Sequence, residues 1–366
     1  MSAPAGLVNW NLAAATARRL VRPGPRIGFH EAADLVGELL VLADTAEGHV
    51  REVTGLVPVN GVVDPTVVVD RVGWAEANTA GFRTVLDPVV DLLTEKKGRP
   101  SPLVEAVGSR VTGVQVGALL SFLAGKVLGQ YEIFLPEGQG TGRLVLVGPN
   151  LLETETSLGL DPHDFRLWVC LHEVTHRTQF TAVPWLRAHV QSEIRAFVAA
   201  SDLDPAALRS RVGAVAGAVL DAARGRGEGG LLEAVQTPEQ RAVLDRMTGF
   251  MSLLEGHADY VMDAVGPQVI PSLATIRRRF ERRRGGTGAL DVFVRRLIGL
   301  EAKTRQYREG RHFVRTVVDS VGMAGFNRVW TSPETLPSLE EVRAPQRWVD
   351  RVLGGELTGS PAALPG

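Results

Sequence analysis

Apolar residues recur at the spacing of an α-helix along most of this chain. Proline and glycine clusters, such as Pro23-Gly24-Pro25 and Gly98-Arg99-Pro100, separate the periodic segments. We therefore expect a mainly α protein. The pattern predicts helices over Trp10–Leu20, His30–Thr54, Thr66–Lys96, Leu103–Leu128, Pro162–Val183, Trp185–Ala200, Pro205–Arg224, Pro238–Val265, Ser272–Arg284, Ala289–Tyr307 and Arg311–Val321.

The segment between Gln130 and Asn150 departs from this periodicity. Tyr131–Leu135 and Arg143–Val147 alternate or contain β-branched runs, and Pro136–Gly142 between them supplies turn residues. This predicts a β-hairpin, so the fold class is mainly α with a small β element (α+β). Two roles stay open for the hairpin: an exposed strand edge that pairs with an extended peptide substrate, or a purely structural element.

The motif His172-Glu173-x-x-His176 lies in the second half of one predicted helix. Asp161 and Pro162 are suited to the N-cap and the first helical position, and no proline or glycine interrupts the segment that follows before residue 184. Both histidines are therefore predicted to lie on the same helix.

This spacing suits a metal site. Residues four apart lie about one helical turn above each other, so His172 and His176 can direct their imidazoles at one ion. Glu173 lies about 100° round the helix, close enough to hold a water molecule beside that ion. Two neutral nitrogen ligands and an adjacent carboxylate are what a catalytic zinc requires. Arg177 departs from the stricter zinc-peptidase pattern, in which the residues around the motif are uncharged.

A catalytic zinc usually has three protein ligands. The metzincin pattern requires glycine at 179 and histidine at 182, and the chain has Gln179 and Ala182, so that class is excluded. The gluzincin alternative takes a glutamate from a second helix. Glu255 and Asp259 lie on one face of the predicted helix Pro238–Val265, among apolar neighbours that make an unpaired carboxylate costly. We expect Glu255 to bind the metal and Asp259 to accept a hydrogen bond from a ligand histidine.

The sequence also predicts the roles of four further residues near the motif or in the later helices. His257 lies about 200° from Glu255 on such a helix, so we expect it to be a hydrogen-bonded structural histidine. Tyr307 and His312 are candidates for a second oxyanion donor, because the C-terminal part of a zincin normally closes the cleft. Cys170 is the only cysteine, which excludes an intrachain disulfide, and we expect it to be buried and to face away from the metal.

Composition narrows the function classes. The chain has 366 residues, 45% of them hydrophobic, and a net charge of −1, so it can bury a large core and has no overall attraction to nucleic acid or to an anionic membrane. Met1–Leu20 lacks a basic start followed by an apolar block, which predicts no secretory signal and a cytoplasmic location. The most apolar stretch, Val111–Val127, falls short of the roughly 20 residues of a membrane span and is predicted to be a buried helix.

The strongest charge cluster is Arg277–Arg284, which contains six arginines. Neither stacking aromatic residues nor a second basic stripe accompanies it, so we do not expect a nucleic-acid partner. The cluster is interpreted as the solvated end of a helix, where arginine also suits the helix dipole.

Leu171–Arg177 together with Leu254–Ala258 resembles an actinobacterial family of zinc-dependent metalloproteases, some of whose members are labelled as associated with biosynthesis of the deazaflavin redox cofactor. The resemblance implies a zincin-like catalytic unit in a mostly helical protein. The gap between His176 and Glu255 is longer than in compact gluzincins. Further segments that carry the resemblance are Asn9-Trp10, Asp70–Trp74, Gly299–Lys303, Gln306-Tyr307 and Pro345–Trp348.

These observations favour a zinc-dependent hydrolase, with a metallopeptidase as the main hypothesis. His172, His176 and Glu255 are expected to hold one Zn²⁺, with Glu173 as general base and a peptide or small amide as substrate. Two alternatives stay open: a non-catalytic zinc protein whose site braces a partner-binding scaffold, and a hydrolase of a small amide or ester.

The chain shows no clear domain linker. We expect an N-terminal helical region (1–128), a zincin-like catalytic region (129–353) and a loose tail (354–366), the first two in one compact unit. The sequence leaves the oligomeric state open.

Overall fold

The computed structural model of the protein describes residues 7–59, 61–97, 101–200, 210, 213, 238–285 and 303–357. The predicted fold class is confirmed: long helices surround a small three-stranded sheet. The helices are Trp10–Leu20 (α1), Phe29–Thr54 (α2), Arg71–Lys97 (α3), Pro102–Ala124 (α4), Gly148–Leu158 (α5), Pro162–Ala182 (α6), Trp185–Ala199 (α7), Pro238–Ala264 (α8), Leu273–Gly285 (α9), Lys303–Phe326 (α10), Leu339–Arg343 (α11) and Pro345–Leu357 (α12). The strands are Thr66–Val69 (β1), Gly129–Glu132 (β2) and Arg143–Val147 (β3).

The predicted hairpin is confirmed and has a third strand. β2 pairs antiparallel with β3, and β1 lies parallel on the other side of β3. The prediction that Thr66–Val69 begins a helix is wrong. A run of three valines after a threonine favours a strand, and the helix begins only after Asp70, whose side chain accepts a hydrogen bond from the backbone N–H of Gly73.

The central strand is buried on both faces. Leu144 and Leu146 point into one hydrophobic cluster, built largely from α2, α5 and α6. Val145 and Val147 point into another, formed with α1, α3 and α4. Because successive side chains of β3 point to opposite faces, the strand packs in both clusters. It thereby links the part of the chain before residue 128 to the part that follows it.

α6 is placed by contacts on several sides. It packs against α2, α8 and strands β2 and β3. Its start is as predicted: Pro162 is in the first turn, and the side chain of Asp161 accepts a hydrogen bond from the N–H of Asp164 at 2.9 Å. Cys170 is fully buried, with its thiol directed at the carbonyl of Leu39 in α2, and burial raises its pKa to about 12.

Glu105–Ala124 in α4 is long and apolar enough to cross a membrane, judged by length and composition alone. This window is longer than the stretch expected from the sequence, and 39% of it is buried. α4 packs against α1 and α3. Core helices of soluble proteins share these properties, so the feature does not indicate a membrane protein by itself.

Several sequence predictions fall on parts of the chain that are not described. The predicted helix over 205–224 lies outside the described residues apart from positions 210 and 213, as does the segment 289–302. α12 extends to Leu357, beyond the predicted start of the tail, and residues 358–366 lie outside the described ranges.

Candidate metal centre

The two histidines of the motif face the same point from successive turns of α6. Their rings are edge to face with centroids 4.7 Å apart, and the two Nε2 atoms lie 3.2 Å from each other. Glu255, on α8, completes a triangle: its Oε2 atom is 3.5 Å from Nε2 of His172 and 3.9 Å from Nε2 of His176. The structure thus brings together the three residues predicted as ligands.

The triangle has the dimensions of a zinc site. For bonds of about 2.0–2.1 Å at tetrahedral angles, ligand atoms lie about 3.3 Å apart. The three observed separations are close to that value, and the three ligand atoms all lie within 4.8 Å of one another. Among the His, Cys, Asp and Glu side chains that the structure describes, this is the group that could hold a metal ion. Three ligands leave a fourth tetrahedral position for a non-protein group.

Glu173 lies beside this triangle under the sheet. Its side chain is 8% exposed, and burial raises its pKa to about 7. On the sheet side, Glu173 lies against Gly129, at the start of β2. A Cβ atom added at Gly129 would lie 2.6 Å from Cγ and 2.9 Å from Cδ of Glu173, which is closer than real Cβ contacts allow.

The two histidines differ in their protonation. Burial would lower the pKa of His172, but the hydrogen bond to Glu255 and its charge outweigh burial and raise the pKa to about 9. Burial and the nearby charge of His172 lower the pKa of His176. In the metal-free protein His172 therefore carries the extra proton, and His176 is neutral.

The outer nitrogens of the histidines have partners that the sequence did not predict. Nδ1 of His176 lies 2.9 Å from Oε1 of Gln179, and Nδ1 of His172 lies 3.3 Å from the sulfur of Met262. The hydrogen bond predicted for Asp259 is therefore not the one observed. The signal for Gln179 was present, since a polar residue three positions after His176 on a buried helix lies on the same face.

Asp259 is held by the basic cluster instead. Its carboxylate is 3.7 Å from Arg277, which also donates to the backbone carbonyl of Asp259 at 3.0 Å and pairs with Asp263 at 2.6 Å. Arg279 donates to backbone carbonyls at the end of α5. The prediction that the whole arginine run is solvated is thus wrong for Arg277 and Arg279, because acidic and carbonyl partners on neighbouring elements bind their guanidinium groups.

The other predicted residues lie at different places. His257 is fully buried, with its ring stacked on Phe326 and its Nδ1 atom 3.0 Å from Nε2 of Gln179, as expected of a structural histidine. His312 is exposed on α10, and its nearest described partner is Thr316 at 3.5 Å. Tyr307 belongs to α10, but its side chain lies outside the described residues. The oxyanion role of both stays a prediction.

The chain matches a family of metallopeptidases over nearly its whole length. A profile described as "Zincin-like metallopeptidase" matches residues 8–349, which is nearly the whole chain and includes every residue of the triangle. The chain belongs to this family. Membership supports a zinc-dependent hydrolase and a zinc cofactor, in agreement with the geometry of the three ligand atoms.

A solved structure is similar over nearly its full length. The crystal structure of "a putative hydrolase with a novel fold" from Chloroflexus aurantiacus shares 32% sequence identity, covers 94% of this chain and 98% of its own, and superimposes with a TM-score of 0.68. A comparison with curated proteins finds no match. The fold is therefore shared with the Chloroflexus aurantiacus protein, whose description gives a reaction class and no substrate.

Proposed function

We propose that this protein is a zinc-dependent metallopeptidase. The observation that carries the proposal is the triangle of His172, His176 and Glu255 with the carboxylate of Glu173 beside it. A structural zinc site normally closes all four positions with protein ligands and favours cysteine. Within the described part of the chain this site has three candidate ligands, none of them cysteine, and an adjacent buried acid, which favours catalysis over the scaffold alternative.

Each residue has a definite task in this proposal. His172, His176 and Glu255 hold the ion, which when bound supplies Lewis-acid activation of a water molecule and of the substrate carbonyl. The carboxylate of Glu173 accepts a proton from that water and delivers it to the leaving amine. Burial raises the pKa of Glu173 to about 7 in the metal-free protein, and the charge of a bound zinc would lower it, so the basic carboxylate form is the one present beside the ion.

The position of β2 supports a peptide as substrate. β2 is at the edge of the described sheet, and its first residue, Gly129, touches Glu173. An extended peptide that pairs with such an edge places its backbone carbonyls in a row along the strand. The scissile carbonyl can thereby be presented next to the general base. A small amide or ester would need no such edge.

A digest of a fluorescent peptide library by the zinc-loaded protein, with and without chelator, tests the proposal. We expect cleavage that chelator abolishes and zinc restores. Chelator-insensitive cleavage, or stoichiometric zinc without peptide cleavage, would contradict it. In the second case, hydrolysis of small amide or ester substrates separates that alternative from the scaffold.

The variant Glu173→Gln tests the role of the base. The amide keeps the shape of the side chain but cannot take a proton, so we expect zinc to bind as in the wild type and turnover to fall by at least about 100-fold. Zinc content by atomic emission and initial rates of peptide cleavage are the measurements. Unchanged hydrolysis would rule out this role.

A further inference from the structure

The side chain of Gln179 has three partners. It is fully buried, and its Nε2 atom lies 3.0 Å from the backbone carbonyl of Leu254 and 3.0 Å from Nδ1 of His257. Its Oε1 atom lies 2.9 Å from Nδ1 of His176. One amide thus connects the second predicted zinc ligand on α6 to the backbone of α8 immediately before the third.

The partners determine which way the amide points. A backbone carbonyl can only accept a hydrogen bond, so the atom of Gln179 that faces Leu254 must be the NH₂ group. The carbonyl oxygen of Gln179 then faces His176, and because that oxygen can only accept, the proton of His176 must be on Nδ1. The Nε2 atom of His176 is left with its lone pair directed at the triangle.

His257 is suited to reinforce this orientation. Its ring is enclosed by Phe326 and Trp330, with centroids at 5.3 Å and 5.4 Å, and its Nδ1 atom is placed to accept the second N–H of Gln179. Both amide hydrogens of Gln179 therefore have acceptors. A rotated amide would direct NH₂ at His176 and an oxygen at the Leu254 carbonyl, which leaves two acceptors facing each other.

We propose that Gln179 is a positioning residue of the metal site: it keeps the Nε2 lone pair of His176 available to the metal and ties α6 to α8 next to Glu255. The inference rests on the proposed zinc site and names the residue that takes the part first predicted for Asp259. Hydrogen-bond partners of this kind fix the tautomer and the ring orientation of a ligand histidine.

Gln179→Met tests the proposal because methionine has nearly the same shape and makes none of the three hydrogen bonds. We expect zinc affinity, measured by competition with a chromophoric chelator, to fall by roughly 10- to 100-fold. Thr178→Val is the matched control. Thr178 is buried on the same helix about 200° round from His176, and its hydroxyl donates to the carbonyl of Val174. We expect it to keep wild-type affinity.

The tautomer of His176 provides a readout that a loss of packing would not change. In long-range ¹H–¹⁵N spectra of the metal-free protein, we expect the proton of His176 on Nδ1 in the wild type and in Thr178→Val. In Gln179→Met this preference is expected to weaken, because only Nε2 of His172, 3.2 Å from Nε2 of His176, still favours it. The same tautomer in all three proteins, with zinc affinity within about twofold, would overturn the proposal.

Gln179→Glu separates the contact with His176 from the two contacts with α8, because a carboxylate can accept a hydrogen bond but cannot donate one. A glutamate oxygen still accepts from Nδ1 of His176, so we expect the wild-type tautomer and recovery of most of the lost zinc affinity. An affinity as low as that of Gln179→Met would overturn the assignment to the tautomer.

These outcomes are distinct from failure of the proposed function. If the wild type binds zinc and cleaves no peptide, the function fails, while the affinity series still decides the role of Gln179. If the wild type binds no zinc, the metal site itself fails, and the spectra of the metal-free protein still report whether Gln179 sets the tautomer.

Discussion

At the scale of single residues, the position of Glu173, the proposed general base, depends on the lack of a side chain at Gly129. Gly129 has an ordinary extended backbone, since it is not among the glycines with positive φ, so alanine can adopt its conformation. An alanine there would force Glu173 to move, because its Cβ would lie 2.6 Å from Cγ of Glu173. Glu173 extends from α6, and Gly129 of β2 limits the space available to its side chain on the sheet side.

We predict that Gly129→Ala impairs turnover more than zinc binding. The methyl group must push Glu173 aside, and a shift of this size costs on the order of 100-fold in rate. Steady-state kinetics should show the loss in kcat, with zinc affinity close to that of the wild type. Gly48→Ala, at an exposed helical position where an added Cβ meets nothing within 4 Å, is the control. Equal kcat values in the two variants would show that Gly129 does not position the base.

Zinc binding should depend on pH, because the metal must displace a proton from a ligand. The Glu255 carboxylate raises the pKa of His172 to about 9 against the effect of burial, so this proton is bound at neutral pH in the metal-free protein. As pH falls below that pKa, the apparent zinc affinity should decrease by about tenfold per pH unit.

Calorimetry in buffers of different ionisation enthalpy counts the protons released. In the Glu173→Gln background, which removes the proton of the neighbouring acid, we expect release of about one proton per zinc at about pH 6, below the pKa of about 7 of a zinc-bound water. Zinc binding at neutral pH without proton release would contradict this assignment of charge to His172.

At the scale of secondary-structure elements, the third ligand depends on how closely two helices cross. A Cβ at Gly256 in α8 would overlap the backbone of Gly310 in α10, and a Cβ at Gly310 would overlap the carbonyl of Ser252. The two helices thus cross backbone to backbone beside Glu255. The glycine after the ligand glutamate serves this packing.

Gly256→Ala should therefore destabilise the protein and weaken the metal site together. Forcing a methyl group into the crossing is expected to lower the free energy of unfolding by roughly 1–3 kcal/mol in urea titrations. Gly37→Ala in α2 meets nothing within 4 Å and should be neutral or stabilising. If Gly256→Ala is as stable as Gly37→Ala, the close crossing is not a constraint.

At the scale of the whole molecule, Arg177 connects the metal helix to two distant parts of the chain. It is 2% exposed, pairs with Glu47 of α2 at 2.9 Å, and donates to the hydroxyl of Thr66 at 2.8 Å and to the carbonyl of Asp64 at 3.2 Å. The charge that departs from the zinc-peptidase pattern thus has a structural role. The side chain of Arg177 extends from α6 to α2 and to the segment that leads into β1.

Arg177→Met should leave Glu47 buried without its partner, which typically costs about 3–5 kcal/mol in the free energy of unfolding. The double variant Arg177→Met/Glu47→Gln removes the uncompensated charge, so it should recover part of that loss. Thermal and urea unfolding of the two variants measure the difference. A double variant no more stable than the single one would show that the ion pair is not the main contribution of Arg177.

The sequence predicted those features that depend on neighbours along the chain. The cap at Asp161, the helix that follows, and the common face of His172 and His176 all arise from local spacing, and each is observed. The prediction that was wrong for β1 also has a physical reason. Thr66–Val69 was assigned to a helix because its parallel partner, β3, lies far along the chain, and the hydrogen bonds between them have no local signal.

The sequence by itself determined the chemistry available: two imidazoles and a carboxylate on one helix, with a second acidic helix that could supply a ligand. The sequence also predicted Glu255 as that acid, and the tertiary structure placed it beside the two imidazoles and decided which residues support the site. The crossing of α6 and α8 places Glu255 in the triangle and Gln179 next to the outer nitrogen of His176. The packing of α9 on α8 pairs Asp259 with Arg277. Helical periodicity fixes the direction of a side chain from its own helix axis, whereas distances between helices depend on the packing of the whole core.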